Sequence, residues 1–442
     1  VIFHQNPMKN LTIIVLAAGK GTRMNSSVPK VFQPLGGVPL IEHTLNSAKK
    51  LNPKEIFLIL NKDISKENFK DEKLVQCFYQ KKQLGTADAV KSCLSNLKNA
   101  NSKVLVMYAD VPFIETKTLK RVVNLKSSKE MKLLAFKKEE YNSYGKIILG
   151  SDSFVNEIIE QRELNSKDRY VLCNSGVFCG NANIFSQLLP RIKNNNKKKE
   201  FYLTDIFKIA SENDFYTRVV LGEEREIMGI NDKKELAQAE KILQERLRDK
   251  FLKKGVTMID PNTVYFSADT KIGKDVTIYP NVFIGDNVRI ASGTTIYSFS
   301  HLESCKIDKN CNIGPYARLR PGADISEGVR IGNFVEVKNS KLRKNSKANH
   351  LSYIGDSDLG KNVNIGAGTI TCNYDGKSKQ KTIIEDGAFI GSNSSLIAPI
   401  KIEKNAYIGS GSAISKNVKA NSLAIERSKQ MEVKNWSKKV KK

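Results

Sequence analysis

The chain has 442 residues, room for two or three domains with sizeable cores, and its 40% hydrophobic content is ordinary for a water-soluble protein. No run approaches the roughly 20 apolar residues of a membrane helix, so no membrane insertion is expected. A formal charge of +26 raises nucleic acid as a partner, but the excess is spread along the chain and not clustered with aromatics, which argues against it.

The same positive surface would steer anionic, phosphorylated substrates. The seven cysteines are odd in number and form no CxxC pair, which suits a reducing cytoplasm better than a disulfide framework or a zinc site. Residues 1–7 read as a short extension ahead of a start near Met8, without a signal peptide.

Up to about Asn231 strands alternate with helices. Leu11–Leu16 is a continuous apolar run, the pattern of a buried parallel strand, and it ends in a glycine-rich turn. Leu40–Lys50 reads as a helix, Glu55–Leu60 as a strand, and Val104–Tyr108 as a strand running into Asp110. This alternation implies an α/β, doubly wound, Rossmann-like sheet that binds ligands at the carboxyl ends of its strands.

From Asp232 to Gly255 a separate helix is expected. Asp232 and Glu235 form an N-cap pair, Leu236, Ala239, Leu243 and Leu247 an apolar stripe, and Gly255 a stop. Placed between two unlike patterns, this helix is a linker.

Beyond it an aliphatic residue returns about every sixth position: Ile272, Ile278, Ile284, Ile290, Ile296 and Leu302, then Ile307 to Val337, then Ile384 to Ile414. The beat fits neither an α-helix nor a simple alternating strand. It fits a parallel β-helix with three short flat faces per coil, each face placing one aliphatic side chain on the axis. Glycines following inward residues, such as Gly273, Gly332 and Gly391, are read as corners needing permissive backbone angles. The beat breaks over Lys338–Lys381, and a break in a repeat is where function is sought.

The turn after the first strand reads Leu16-Ala17-Ala18-Gly19-Lys20-Gly21-Thr22-Arg23-Met24, with Pro29-Lys30 following. Small residues let backbone amides approach a phosphate, and Arg23 and Lys30 supply charge. A glycine-rich turn alone is weak evidence, and this one matches neither the Walker nor the dinucleotide fingerprint. The whole string resembles the signature of sugar-nucleotide pyrophosphorylases. Gln80-Lys81-Lys82-Gln83-Leu84-Gly85-Thr86-Ala87 resembles that family's base-reading loop, and Tyr108-Ala109-Asp110-Val111-Pro112 its metal-binding strand end. The resemblance implies Mg²⁺ on Asp110 and Asn231, and sugar contacts from Gly145, Glu160 and Asn174. Ala109, Asp88 and Glu163 depart from the family's usual glycine, histidine and aspartate.

Within the broken stretch lies His350, one of only four histidines. A lone histidine is more often structural than catalytic, but its surroundings are specific. Arg320-Pro321-Gly322-Ala323, Gly332-Asn333-Phe334-Val335-Glu336-Val337-Lys338, Ser346–Tyr353 and Asn364–Gly376 resemble, almost residue by residue, the acetyltransferase half of the bifunctional bacterial uridylyltransferase–acetyltransferases. The resemblance covers essentially Met8 to the C-terminus.

It implies a left-handed β-helix of hexapeptide repeats that forms homotrimers, with acetyl-CoA and UTP as co-substrates and Mg²⁺ as cofactor. His350 becomes the general base for acetyl transfer to glucosamine 1-phosphate, a role imidazole suits because it titrates near physiological pH. Glu336, about one coil earlier, is expected to orient the ring. Arg320, Lys338, Tyr353 and Lys379 are implied to bind the sugar phosphate, and Asn364 and Asn373 the sugar and its amine. Asn373 also borders the coenzyme path, implied to run along Ala367, Tyr374, Ser392, Ser410 and Arg427. In the first domain N-acetylglucosamine 1-phosphate then reacts with UTP.

Segments 8–231, 232–254 and 255–442 are expected as uridylyltransferase domain, linker helix and acetyltransferase domain. Two alternatives stay open at this point: a one-reaction nucleotidyltransferase whose solenoid is an oligomerisation arm, and a non-enzymatic assembly subunit of this architecture.

Overall fold

The computed structural model describes residues 8–69, 72–97, 99–138, 142, 144–163 and 171–440. The extension at residues 1–7 and the last two residues of the basic tail lie outside them. The chain divides into two compact units, which part between Ile242 and Leu243 within the helix Lys233–Leu252.

The first unit is built on strand Met8–Leu16. Its apolar run is continuous because both faces are covered: Leu11, Ile13 and Val15 enter one core cluster, Ile14 and Leu16 the other. It pairs in parallel with Pro53–Leu60 on one side and Lys103–Tyr108 on the other. The sheet order runs Tyr216–Leu221, Glu130–Lys137, Leu172–Asn181, Lys103–Tyr108, Met8–Leu16, Pro53–Leu60, Val75–Tyr79. Leu172–Asn181 is antiparallel to both its neighbours, so the sheet is mixed. Leu16 lies in register with Tyr108, which sets the glycine-rich turn beside the Asp110 strand end.

The helix Lys233–Leu252 starts as its sequence dictates. Asp232 Oδ1 accepts from Glu235 N–H at 2.8 Å, and Glu235 Oε2 accepts from Asn231 N–H at 2.6 Å. In its second half, buried Gln244 donates to Phe266 O at 2.7 Å and accepts from Phe266 N–H at 2.9 Å. The amide thereby stands in for a neighbouring strand and closes an otherwise open sheet edge.

The second unit is a β-helix of three parallel sheets, with ten, nine and eight strands among the described residues. Hydrogen bonds between adjacent coils join residues 18 apart, which is three hexads, or 17, one residue fewer. The aliphatic beat is the buried axis: Ile278, Ile284, Ile296, Leu302, Ile313 and Leu319 have no exposed surface.

Two expectations change here. Gly273, Gly332 and Gly391 have ordinary φ; a Cβ at Gly332 would stand 1.9 Å from Asn349 O and one at Gly391 2.5 Å from Ser410 N. They are glycines because the next coil passes too close, whereas Gly314, which also follows an inward residue, has φ +96° and meets the expectation. Left-handed corners are shared between asparagine, as at Asn281, Asn287, Asn310, Asn345 and Asn405, and other glycines, as at Gly293, Gly328 and Gly387. The beat also survives most of Lys338–Lys381, since Leu342, Ala348, Ile354, Leu359, Ile365 and Thr371 all point inward. Ala348 and Thr371 simply hide it from an aliphatic pattern. The true interruption is the excursion between strands Ile370–Cys372 and Thr382–Ile384, where coil register jumps from Asn364 to Phe389.

Candidate functional site

In the first unit the carboxyl ends of the central strands gather the charged groups. Lys30, held by the turn after Pro29, donates to Asp110 Oδ2 and, at 2.9 Å, to Asn231 Oδ1. Asn231 arrives because Ile230 N–H bonds Asp110 O at 3.0 Å. The Lys30 and Asp110 side chains are only 12% and 22% exposed, so this cation and its two oxygens form a partly dry cluster. Two oxygens converging on one positive centre are a donor set that fits a hard divalent ion. Arg23 is exposed on the same turn.

The loop Gln80–Thr86 is tied to that turn. Gln83 Nε2 donates to Ala18 O at 2.8 Å, while Gln80 Nε2 donates to Gly85 O and to Asp88 Oδ2, both at 2.9 Å. Asp88, a departure at sequence level, therefore has a local role in holding Gln80. Gly85 has φ +124°, and a Cβ there would lie 2.4 Å from Phe201 O.

The residues expected on the sugar side also converge. Asn174 N–H bonds Gly145 O at 2.9 Å, and a Cβ on Gly145 would stand 3.7 Å from Glu160 Oε2. Tyr108 is half-buried between Gly176 and Glu160, and desolvation of its phenol pushes it well above the usual range. Leu16, Ala17 and Ala18 are buried and Gly19 is exposed at the head of the turn. Ala109 is 1% exposed, with its N–H on Leu16 O at 3.0 Å, so its methyl fits without opening the strand end. Glu163, the third departure, meets Lys197 at 3.8 Å.

In the β-helix, His350 ends strand Lys347–His350, and its Nδ1 lies 2.8 Å from Asn333 Oδ1 on the preceding coil. An acceptor against Nδ1 places the ring proton there and leaves the Nε2 lone pair outward. The expected partner, Glu336, lies on a different sheet and is engaged by Arg320 Nη1 at 2.8 Å and Arg318 Nη1 at 3.7 Å. That expectation fails because the coil is 17 residues here, which carries the partner position to Asn333.

Register lines up further residues. Ala348 pairs Ile365 and Phe389 pairs Tyr407, so His350, Ala367, Ser392 and Ser410 occupy one corner of successive coils. Arg427 Nη1 donates to Ser410 O at 2.9 Å and closes the column. At about 4.8 Å per strand the three steps from His350 to Ser410 span about 14 Å.

The cationic set stands at the far end of another face. Lys338 ends a strand of the sheet containing Tyr353, and Arg320 and Asn373 directly follow two others. Lys338 sits against Lys379 and holds its ammonium below the usual lysine range. Asn373 donates to Asp356, and Tyr374, 61% exposed, bonds Gly376 O at 2.7 Å within the excursion. Asn364 pairs Lys347 beside the His350 strand.

The family model of the MobA-like NTP transferase domain matches residues 13–170, and that of the bacterial transferase hexapeptide matches 267–303 and 381–416. The bifunctional protein GlmU of Paramagnetospirillum magneticum is 42% identical over 434 residues, covering 97% of this chain and 96% of its own. The chain belongs to the GlmU family. The GlmU of Geotalea uraniireducens is 38% identical and that of Francisella tularensis subsp. novicida 42%, each covered to 99%. GlmU kinship therefore runs through both units and the helix they share.

Proposed function

We propose that the chain makes UDP-N-acetylglucosamine in two steps, with 8–231, 232–254 and 255–442 as uridylyltransferase domain, linker helix and acetyltransferase domain. In the β-helix the amine of glucosamine 1-phosphate attacks the acetyl-CoA thioester. A C–N bond forms, the C–S bond breaks, and the coenzyme leaves as its thiol. His350 Nε2 takes the amine proton while Asn333 fixes the tautomer, a contribution of roughly 10²–10⁴-fold. Arg320, Lys338, Tyr353 and Lys379 hold the phosphate dianion, and Asn364 and Asn373 the sugar and its amine. The coenzyme follows the column from Ala367 through Ser392 and Ser410 to Arg427, with Tyr374 and Asn373 at its side.

In the first unit a phosphate oxygen of N-acetylglucosamine 1-phosphate attacks the α-phosphorus of UTP, and the bond to the β-phosphate breaks to release pyrophosphate. Leu16–Gly19 present backbone to the nucleotide, and Gln80, Gln83, Gly85 and Thr86 read the base. Gly145, Glu160 and Asn174 hold the sugar, beside Tyr108 and Ala109. Arg23 and Lys30 offset charge on the phosphates. Asp110 and Asn231 would hold Mg²⁺, which supplies charge neutralisation across the phosphates. No protein nucleophile is required.

The observation that carries this reading is that Lys30, Asp110 and Asn231 converge in one unit while His350 and Asn333 pair in the other, in a chain of GlmU ancestry throughout. A homotrimer with acetyl-transfer sites between copies accords with the cationic set lying across a face from His350. A cytoplasmic setting, supplying peptidoglycan and lipopolysaccharide precursors, completes the proposal; among the described residues no helix is long and apolar enough to cross a membrane.

The test is an omission assay with glucosamine 1-phosphate, acetyl-CoA, UTP and Mg²⁺. Nucleotide sugar should vanish when acetyl-CoA alone is withheld and return with N-acetylglucosamine 1-phosphate. Failure of the pre-acetylated sugar to restore product would reject the assignment of the first unit.

A further inference from the structure

Between the base loop and the sugar carboxylate runs a segment that no motif singles out, Phe201–Asp205. Its backbone is fastened to the base loop at both ends of the glycine turn. Phe201 N–H bonds Leu84 O at 2.7 Å, and Ala87 N–H bonds Phe201 O at 3.0 Å. Leu203 N–H donates to Thr86 Oγ1 at 3.0 Å. The Phe201 ring lies under Lys91 Nζ, 4.8 Å from its centroid. Gly85 cannot carry a side chain because Phe201 O occupies that space.

At its other end the segment reaches the sugar side. Thr204 Oγ1 donates to Glu160 Oε1 at 2.9 Å, leaving Oε2 toward Gly145. Thr204 is 9% exposed, so the bond sits in a largely dry place where one missing donor is felt. Helix Asp205–Ser211 then packs along the strand Val155–Ile159 that leads to Glu160, with Ser211 Oγ on Asn156 O at 3.1 Å and Lys208 on Glu157 at 3.2 Å. The Asp205 carboxyl is pushed up to about 6 by burial, then by Glu160, which places it in the same electrostatic neighbourhood. Tyr108 joins the two sides as well, hydrogen-bonded to Thr86 with Glu160 close by.

We propose that Phe201–Asp205 couples base recognition to sugar recognition, with Thr204 as the positioning residue that sets the Glu160 carboxylate and Thr86 as its anchor on the base loop. This rests on the uridylyl-transfer reading of the site. The Thr86–Leu203 bond fastens the segment to the base loop and the Thr204–Glu160 bond fastens it to the sugar carboxylate, so a displacement at either end is felt at the other.

The experiment is steady-state uridylyl transfer by the full-length protein and its Thr204→Val, Thr204→Ser and Thr86→Val variants. Acetyl transfer is read on the same preparations as a check that the chain is intact. Thr204→Val should raise KM for N-acetylglucosamine 1-phosphate about tenfold with KM for UTP within twofold, the loss expected for a hydrogen bond to a charged group. Thr204→Ser should restore it to within threefold. Thr86→Val, though on the base loop, should also raise the sugar KM, and the double variant Thr86→Val/Thr204→Val should be no worse than the poorer single one.

An unchanged sugar KM in Thr204→Val, equal rises in both KM values, or additive losses in the double variant would overturn the coupling while leaving the reaction assigned. A wild-type protein that released no pyrophosphate from UTP and N-acetylglucosamine 1-phosphate would overturn the reading of the site, and the coupling with it.

Discussion

The contact between His350 Nδ1 and Asn333 Oδ1, 2.8 Å across adjacent coils, gives the sharpest prediction. Asn333→Ala removes the acceptor that keeps the ring proton on Nδ1 and leaves Nε2 free to act. The pair is exposed, so the bond is an ordinary neutral one, about 0.5–1.5 kcal/mol, or roughly 2- to 10-fold in rate. Loss of a fixed tautomer adds a factor of about 2, because only one of two neutral forms presents Nε2 as a base. Asn333→Ala should therefore lower kcat for acetyl transfer roughly 5- to 20-fold, well short of the roughly 10²–10⁴-fold expected for His350→Ala. In the His350→Ala background the second change should do nothing. Asn333→Asp sharpens the test, since a carboxylate against Nδ1–H raises imidazole basicity and moves the acid limb of the kcat/KM profile to higher pH. The assay is thiol release from acetyl-CoA with glucosamine 1-phosphate between pH 5 and 9. An equal loss on adding Asn333→Ala to wild type and to His350→Ala would refute the argument.

Chelation should separate the two reactions: excess EDTA should stop pyrophosphate release and leave thiol release within twofold, and loss of both would contradict the assignment of the metal to Asp110 and Asn231. Asp205, with its carboxyl pushed up to about 6 by burial, stabilises the fold below the ordinary carboxylate range and loses that contribution as pH rises through about 6. The stability of wild type relative to Asp205→Asn should thus fall between about pH 4 and 7 in urea titrations. A pH-independent difference would refute this. Gly332→Ala drives a methyl to 1.9 Å from Asn349 O and should destabilise the β-helix by about 1–3 kcal/mol or more, with acetyl transfer lost and uridylyl transfer retained. A denaturation midpoint equal to wild type would show that the coils can part without cost.

The architecture was legible because its driving pattern is local. An apolar run buried on two faces reads as Leu11–Leu16, and an aliphatic axis reads as a six-residue beat whatever the loops between carry. The beat failed where its inward residue was not a large aliphatic: Ala348 and Thr371 are buried on the axis like the leucines but do not show in an aliphatic pattern, so the gap looked far longer than it is. Corner glycines misled for a related reason, since a close neighbouring backbone and a left-handed turn both select glycine, and only coordinates tell them apart.

By itself the sequence determined the order of units, the glycine-rich turn after the first strand, the N-cap at Asp232 and the residue types available for chemistry, because each depends on neighbours along the chain. Tertiary structure decided which of those groups meet. Asn333 and not Glu336 faces His350, because coil length sets the partner and a count of residues along a broken repeat misplaces it. Thr204 reaches Glu160 across 44 positions, and Lys30 reaches Asn231 across 201. Such pairings carry no periodic signal, since they follow from the register of whole strands and not from any local preference.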